Sequence, residues 1–160
     1  MILSETTAPE SKPEEPVAQE LRAQLSFKDY KGFKEIKSIR DTYKMGKELG
    51  AGSFGTVNLA KHKATDRKVA IKVIKKKKLE ENEVYMELMR NELLVLEKTD
   101  HPHITRVFEL LEDKKHFFVV MEFMADGNLL DKVVEMDHFS EDHTAMVVHQ
   151  VMLALNYMHK

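Results

Sequence analysis

Apolar residues recur along the chain with two different periods, and each period predicts one kind of element. Two long segments carry an apolar residue every three or four positions, the spacing of one helix face. The first predicts a helix over residues 80–98 with the stripe Met86, Met89, Leu93 and Leu96. The second predicts a helix from residue 141 to the last residue, after a capping Ser140, with the stripe Val148, Val151, Leu155 and Met158.

Five shorter segments are rich in β-branched and aromatic residues and lie between turn residues, which predicts strands. They are residues 43–49, 56–62, 68–74, 105–112 and 115–122. Gly127 and Asn128 predict a turn before a short helix over residues 129–136. This order of elements predicts an α+β fold around an antiparallel sheet.

The N-terminal part of the chain has a different composition. Residues 1–20 contain five glutamates, one lysine and three prolines but no aromatic residue, which is typical of a disordered tail. Residues 21–42 carry Phe27, Tyr30 and Phe33 without a clean period. We interpret residues 1–42 as an extension, disordered at first and then partly ordered, that lays its aromatic side chains on the domain.

Composition narrows the class of protein. The net charge of -2 gives no reason to expect nucleic-acid binding, and the absence of cysteine excludes disulfides and thiolate metal sites. The histidines show no metal-ligand spacing, so no zinc site is expected. No apolar run approaches the roughly 20 residues of a membrane helix. The N-terminus has neither a basic start nor an apolar run, which favours a cytoplasmic protein rather than a secreted one.

The stretch LGAGSFGTV, residues 49–57, carries the glycine pattern G-x-G-x-x-G. A dinucleotide-binding loop of this pattern leads into a helix, whereas Gly55 leads into a predicted strand. A P-loop requires a lysine after its last glycine, and none follows here. The loop is therefore predicted to be a hairpin tip lying over a ligand. The glycines alone fit a flexible turn equally well.

A lysine in the next strand and a glutamate in the following helix favour the ligand-binding interpretation. Lys72 lies among Val69, Ala70, Ile71 and Val73, so its stem has apolar neighbours. A buried ammonium group requires a carboxylate partner. Glu92 is the candidate, because it lies at the edge of the helix's apolar stripe. The alternatives are a solvated lysine and an ordinary glutamate of an amphipathic helix.

Together these motifs resemble the N-terminal lobe of a eukaryotic protein kinase. The glycine loop with Val57 and the strand Val69-Ala-Ile-Lys72 match the family pattern. The finer resemblance is to the calcium/calmodulin-dependent and calcium-dependent kinases, over about residues 43–160. It implies a small lobe over residues 43–122, with a five-stranded antiparallel sheet and one helix of the family's αC type. Residues 123–160 would be the hinge and the first helices of an incomplete large lobe.

The resemblance also implies an ATP site. Lys72 would hold the α- and β-phosphates and Glu92 would fix Lys72, so these two are the implied catalytic residues. The implied nucleotide contacts are Leu49, Gly50, Ala51, Gly52, Ser53, Phe54, Gly55, Val57, Ala70, Lys72, Met121, Glu122, Met124 and Asn128. Asn128 stands where the family often has a glutamate, and it lacks that charge.

Five of these residues have implied roles around the adenine ring. Val57 and Ala70 would cover one face of the ring, and Met121 would be the gatekeeper. The backbone groups of Glu122 and Met124 would hydrogen-bond the adenine edge.

The 160 residues contain neither H-R-D-x-x-x-x-N nor D-F-G, which supply the family's catalytic base and magnesium ligands. We therefore interpret the chain as the ATP-binding portion of a serine/threonine protein kinase, inactive by itself, with no metal ligand of its own. Magnesium is expected only in a complete kinase. The expected partners are ATP, a protein substrate and, in the parent protein, the remaining lobe or a calcium-sensor region. The alternative is a short non-catalytic lobe that binds a nucleotide or a partner.

Overall fold

The structure is a computed structural model that describes residues 27–28, 30–52, 55–80 and 83–160. Its strands are β1 (Phe33–Glu35), β2 (Tyr43–Ala51), β3 (Gly55–His62), β4 (Lys68–Lys75), β5 (Val107–Glu112) and β6 (His116–Glu122). Its helices are α1 (Ile39–Thr42), α2 (Lys76–Glu80), α3 (Glu83–Lys98), α4 (Leu129–Glu135) and α5 (Glu141–Met158). The five predicted strands are all present, with ends that shift by at most two residues.

Within the described residues, one six-stranded sheet has the spatial order β1-β5-β6-β4-β3-β2. Strands β2 to β6 pair antiparallel with their neighbours, as the sequence predicts, whereas β1 runs parallel to β5. The predicted count of five strands is therefore wrong by one. The sequence Phe-Lys-Glu of β1 is too short and too polar to show a strand pattern, so only its pairing with β5 defines it.

Neighbouring side chains of a strand point to opposite faces of the sheet, and each face has its own core. Phe117 of β6 belongs to the core under α3, and Phe118 belongs to the core on the other face. In β4, Ile74 lies in the core under α3 and Ile71 in the other. Lys72 is two residues from Ile74, so alternation turns it toward the α3 side.

The N-terminal extension contributes to the core under α3. The ring of Phe27 meets that of Phe117 edge-on, with 5.1 Å between centroids, and Tyr30 is also buried. The backbone N–H of Lys31 donates to the carboxylate of Glu97 in α3. The predicted tail over residues 1–20 lies outside the described residues. The boundary between residues 42 and 43 stays a prediction.

Helix α3 packs on the sheet through the stripe that the sequence predicts. Met86, Met89 and Leu93 are buried, and Leu96 is partly buried. The charge of the four-lysine run at residues 75–78 suggests a solvated loop, but Lys75 is the last residue of β4 and the other three lysines are helical. They form α2, because Leu79, whose side chain is fully buried, holds this turn of helix against the core.

Helix α5 begins as predicted and ends two residues earlier than predicted. The Ser140 hydroxyl accepts a hydrogen bond from the backbone N–H of His143, and the helix ends at Met158. Its predicted apolar stripe is exposed, and Ala154 is the buried residue of the helix. Across the part of the chain that the structure describes, no helix is both long and apolar enough to span a bilayer.

Three polar side chains join β1, β2 and β5 around the buried phenol of Tyr43. The hydroxyl of Tyr43 donates to the carboxylate of Glu109, which also accepts from Lys34 Nζ at 2.8 Å. Burial, followed by the hydrogen bond and charge of Glu109, raises the pKa of Tyr43. Burial alone would raise the pKa of Glu109, but hydrogen bonds from Lys34 and Tyr43 outweigh it and lower that pKa.

Substituting Tyr43→Phe should reduce the pH dependence of the free energy of unfolding in both the acidic and the alkaline range. The raised pKa of Tyr43 gives stability that is full below the ordinary tyrosine value of about 10 and is lost as pH rises above it. The lowered pKa of Glu109 gives stability that is full above about 4.3 and is lost as pH falls below it. At neutral pH the loss should be about 1.5–3 kcal/mol, the range for a hydrogen bond to a charged group.

Urea unfolding of Tyr43→Phe and the unchanged protein across pH measures these differences. An identical alkaline slope in the two proteins would contradict the assignment to Tyr43.

Candidate nucleotide-binding site

Strand register brings four of the predicted site residues, together with the neighbouring Val119, onto one face of the sheet. Val57 of β3 lies opposite Lys72 of β4, and Lys72 lies opposite Val119 of β6. Two residues before Lys72 in β4, and therefore on the same face, Ala70 lies opposite Met121. Directly paired residues point to the same face, so the lysine and the apolar residues form one surface.

Lys72 and Glu92 form an ion pair between the sheet and α3. Lys72 Nζ lies 2.8 Å from Glu92 Oε1 and 3.1 Å from Oε2. The lysine side chain is 17% exposed and that of the glutamate 43%. The period of two in β4 and the period of 3.6 in α3 turn both side chains toward the same cleft. The pairing expected from sequence is present, and the role of the two residues in phosphate binding stays a prediction.

The glycine loop is a hairpin between β2 and β3, as the sequence predicts. The backbone N–H of Gly52 donates to the carbonyl of Gly55 at 2.8 Å, and Gly55 N–H donates back at 3.3 Å. These two N–H groups therefore close the hairpin. Ser53 and Phe54, which separate these two glycines in the sequence, are outside the described residues.

The fold requires one glycine of the three. A Cβ atom on Gly55 would lie 1.9 Å from the carbonyl oxygen of Val73 in β4, which leaves no room for any side chain. Among the described residues, a Cβ on Gly50 would meet nothing within 4 Å, and one on Gly52 would only touch the Gly55 carbonyl at 4.0 Å. Gly50 and Gly52 also lack positive φ angles. Packing among the described residues therefore does not explain these two glycines.

The flanks of the loop are open to solvent. Leu49 is 39% exposed and Ala51 is also exposed. The pairing of β2 with β3 shifts register on either side of Glu48, so the strand is irregular just before the loop.

The predicted hinge lies at the end of β6 and in the segment that follows it. Met121 is partly buried against the core under α3, and Met124 is 51% exposed in an irregular segment. The backbone N–H of Glu122 donates to the carbonyl of Arg106 at 2.9 Å. Only the carbonyl of Glu122, and not its N–H, could therefore meet an adenine edge.

Asn128 has a structural role that the sequence analysis did not assign. It is the N-cap of α4, where its Oδ1 accepts from the backbone N–H of Asp131 at 2.8 Å. Its Nδ2 also donates to Asp131 Oδ2 at 2.6 Å. Asparagine before a helical segment is a known capping signal, so the sequence could have revealed this role. Contact of Asn128 with a nucleotide stays a prediction.

Tyr157 of α5 connects α5 to the end of α3 and to the residues that follow α3. Its hydroxyl accepts from the backbone N–H of Asp100 at 3.0 Å and donates to the carbonyl of Lys98 at 3.4 Å. Its ring lies 5.1 Å from that of His101. The end of α3 is thereby anchored to α5. Sequence reasoning missed this contact, because it joins residues 57 and 59 positions apart.

The fold and the site together define a class of protein. The chain belongs to the protein kinase domain family, whose model matches residues 43–160. The sheet with α3 is therefore the small lobe of such a domain, and the resemblance deduced from the sequence is confirmed.

Curated relatives support the same family. The chain is 36% identical over 126 residues to SNF1-related protein kinase catalytic subunit alpha KIN12 of Arabidopsis thaliana, covering 79% of this chain and 25% of that protein. It is 36% identical over 138 residues to Calcium/calmodulin-dependent protein kinase type 1 of Macrobrachium nipponense, covering 86% and 39%. It is 35% identical over 118 residues to Serine/threonine protein kinase OSK3 of Oryza sativa subsp. indica, covering 74% and 23%. The chain thus spans less than half the length of these relatives.

Proposed function

We propose that the chain is the ATP-binding portion of a serine/threonine protein kinase, which transfers the γ-phosphate of ATP to hydroxyl groups of proteins. The observation that carries the proposal is the ion pair between Lys72 and Glu92 on the face that the glycine hairpin flanks. The relatives named above are protein kinases, and two of their names specify calcium/calmodulin dependence or serine/threonine specificity.

Charge and shape around the pair suit a nucleotide. The Lys72 ammonium would attract the α- and β-phosphates, and Glu92 would hold that ammonium in place against an otherwise apolar wall. Val57, Ala70 and Met121 would pack on the adenine ring, because they lie on the same face as the lysine. The carbonyl of Glu122 would accept a hydrogen bond from its exocyclic amine.

Two glycines add independent support. Gly50 and Gly52 occupy positions where the fold itself tolerates a Cβ atom. A glycine that intramolecular packing does not require is expected where another molecule approaches the backbone closely.

These residues alone do not suit magnesium or the transfer step. The described residues contain no group of three histidine, aspartate or glutamate side chains that could hold a metal ion. The printed sequence also has no H-R-D or D-F-G motif. We therefore propose that a polypeptide of these 160 residues binds ATP without transferring its γ-phosphate, and that the complete kinase supplies magnesium ligands and catalytic base.

Thermal unfolding with ATP and a magnesium chelator tests the proposal. ATP at a hundredfold excess over its Kd should stabilise the protein by about 2.7 kcal/mol. This corresponds to a rise in Tm of roughly 5–11 °C for a chain of this size. Lys72→Ala should abolish the rise, because the phosphates lose their cation.

Lys68→Ala is the matched control, since Lys68 is an exposed lysine of the same strand. It should keep the ATP-dependent rise in full. An unchanged Tm with ATP in the unmodified protein, or an equal loss in the two variants, would refute nucleotide binding at this site.

A further inference from the structure

A second charged surface lies away from the nucleotide site, at a groove of about 400 Å³ between α2 and the β5–β6 hairpin. The sequence places lysines at residues 75–78 and at residues 114–115, and the fold brings the two groups together. Lys75, Lys77, Lys114 and Lys115 line the groove. We call these four residues the lysine groove.

Two acidic residues near the lysine groove already have other hydrogen-bond or ion-pair partners. Glu112 pairs with Lys76, and Asp113 accepts from the backbone N–H groups of Lys115 and His116. Glu80 also lines the groove. Among the described residues, Lys75, Lys114 and Lys115 are exposed and have no carboxylate partner.

The chain enters the described structure beside this surface. Phe27 packs edge-on against Phe117, and Lys76 Nζ lies 5.0 Å from the centroid of the same Phe117 ring. Phe117 follows His116, which lines the groove. Whatever precedes Phe27 is therefore tethered within a few residues of the lysines.

The preceding sequence has the complementary charge. Residues 1–20 contain five glutamates and one lysine. Glu20 is seven residues from Phe27 in the sequence. At roughly 3.4 Å per residue, an extended chain lets Glu20 reach up to about 24 Å from Phe27. Glu14 and Glu15 follow within a further few residues toward the N-terminus.

We propose that the glutamates of residues 5–20 bind the lysine groove of the same chain. The tether gives the segment an effective concentration on the order of millimolar, so several weak ion pairs suffice for binding. Such exposed pairs are screened as ionic strength rises, because the Debye length is about 10 Å at 0.1 M salt. This contact does not depend on nucleotide binding.

A spin label gives a direct test in the full chain. The protein has no cysteine, so Ser11→Cys provides a single attachment site for a nitroxide. At low salt, the nitroxide should broaden the backbone amide NMR signals of Lys75, Lys114 and Lys115, with loss of their intensity. The amide of Lys63, in the β3–β4 turn, should keep its intensity. High salt should restore the broadened signals.

Charge variants distinguish binding from mere proximity. Replacing Lys75, Lys114 and Lys115 together by glutamine should abolish the broadening at these positions. The matched control replaces Lys44 and Lys47 of the edge strand β2 and Lys63 of the β3–β4 turn, three exposed lysines, by glutamine and should leave the broadening unchanged.

Three results would overturn the proposal. The first is broadening that persists in the Lys75, Lys114 and Lys115 variant or at high salt. The second is an absence of broadening while an added glutamate-rich peptide shifts the same amide signals, which would assign the groove to another protein. The third is an absence of broadening together with lysine-dependent binding to phosphatidylserine vesicles, which would assign it to a membrane surface.

Discussion

Replacing Phe117 with alanine should lower the free energy of unfolding by about 3–5 kcal/mol, the usual cost of truncating a buried phenylalanine. Its side chain is 1% exposed and lies in the core that α3 and the extension share. Total stability for a domain of this size is about 5–15 kcal/mol, so this single change removes a large part of it. Urea unfolding followed by circular dichroism measures the loss.

A double-mutant cycle with Phe27→Ala shows whether the extension belongs to that core. The two rings meet edge-on, so they should be coupled by about 0.5–1.5 kcal/mol beyond the area they bury. The two single losses should then sum to more than the loss in the double variant. Strict additivity would show that Phe27 does not pack on Phe117 in solution.

Substituting Gly55→Val should be far more damaging than Gly50→Val, although both glycines belong to one motif. A side chain at residue 55 would collide with the carbonyl of Val73, so β3 and β4 must separate at this end. We expect a loss of about 3 kcal/mol, at the upper end of the usual cost of overpacking. Gly50→Val should cost little stability, because no atom of the described residues lies within 4 Å of the added Cβ.

The same pair of variants separates folding from ligand binding. ATP affinity should fall in both, in Gly55→Val through the displaced loop and in Gly50→Val through direct obstruction of the backbone. Urea unfolding combined with ATP titration of each variant measures the two effects independently. A Gly50→Val protein with unchanged stability and unchanged ATP affinity would show that this glycine does not face the nucleotide.

The parts of the site that follow from local periodicity could be predicted from the sequence. Alternation in β4 turns Lys72 toward the α3 side, and helical spacing in α3 sets Glu92 beside the buried stripe. These two periods turn both side chains toward the cleft between β4 and α3, where Lys72 Nζ and Glu92 Oε1 lie 2.8 Å apart. The glycine hairpin likewise follows from the strand after Gly55.

The features that sequence reasoning missed depend on contacts distant along the chain. β1 is a strand because β5 supplies its hydrogen-bond partners, and α2 is helical because the core accepts Leu79. Tyr157 accepts a hydrogen bond from Asp100, and no local sequence pattern predicts this contact. Such elements have weak intrinsic propensity, so tertiary context decides their conformation.

The parallel pairing of β1 with β5 has a consequence for where the folded unit should be cut. The family match begins at Tyr43, and a polypeptide that starts there would lose β1. Strand β5, with Leu110 and Leu111 buried on its two faces, would then become an unpaired edge strand of the sheet. Unpaired edge strands can pair with strands of other molecules, which leads to aggregation. Residues 33–35 thus protect the lobe against self-association, and recombinant versions should begin no later than Phe27.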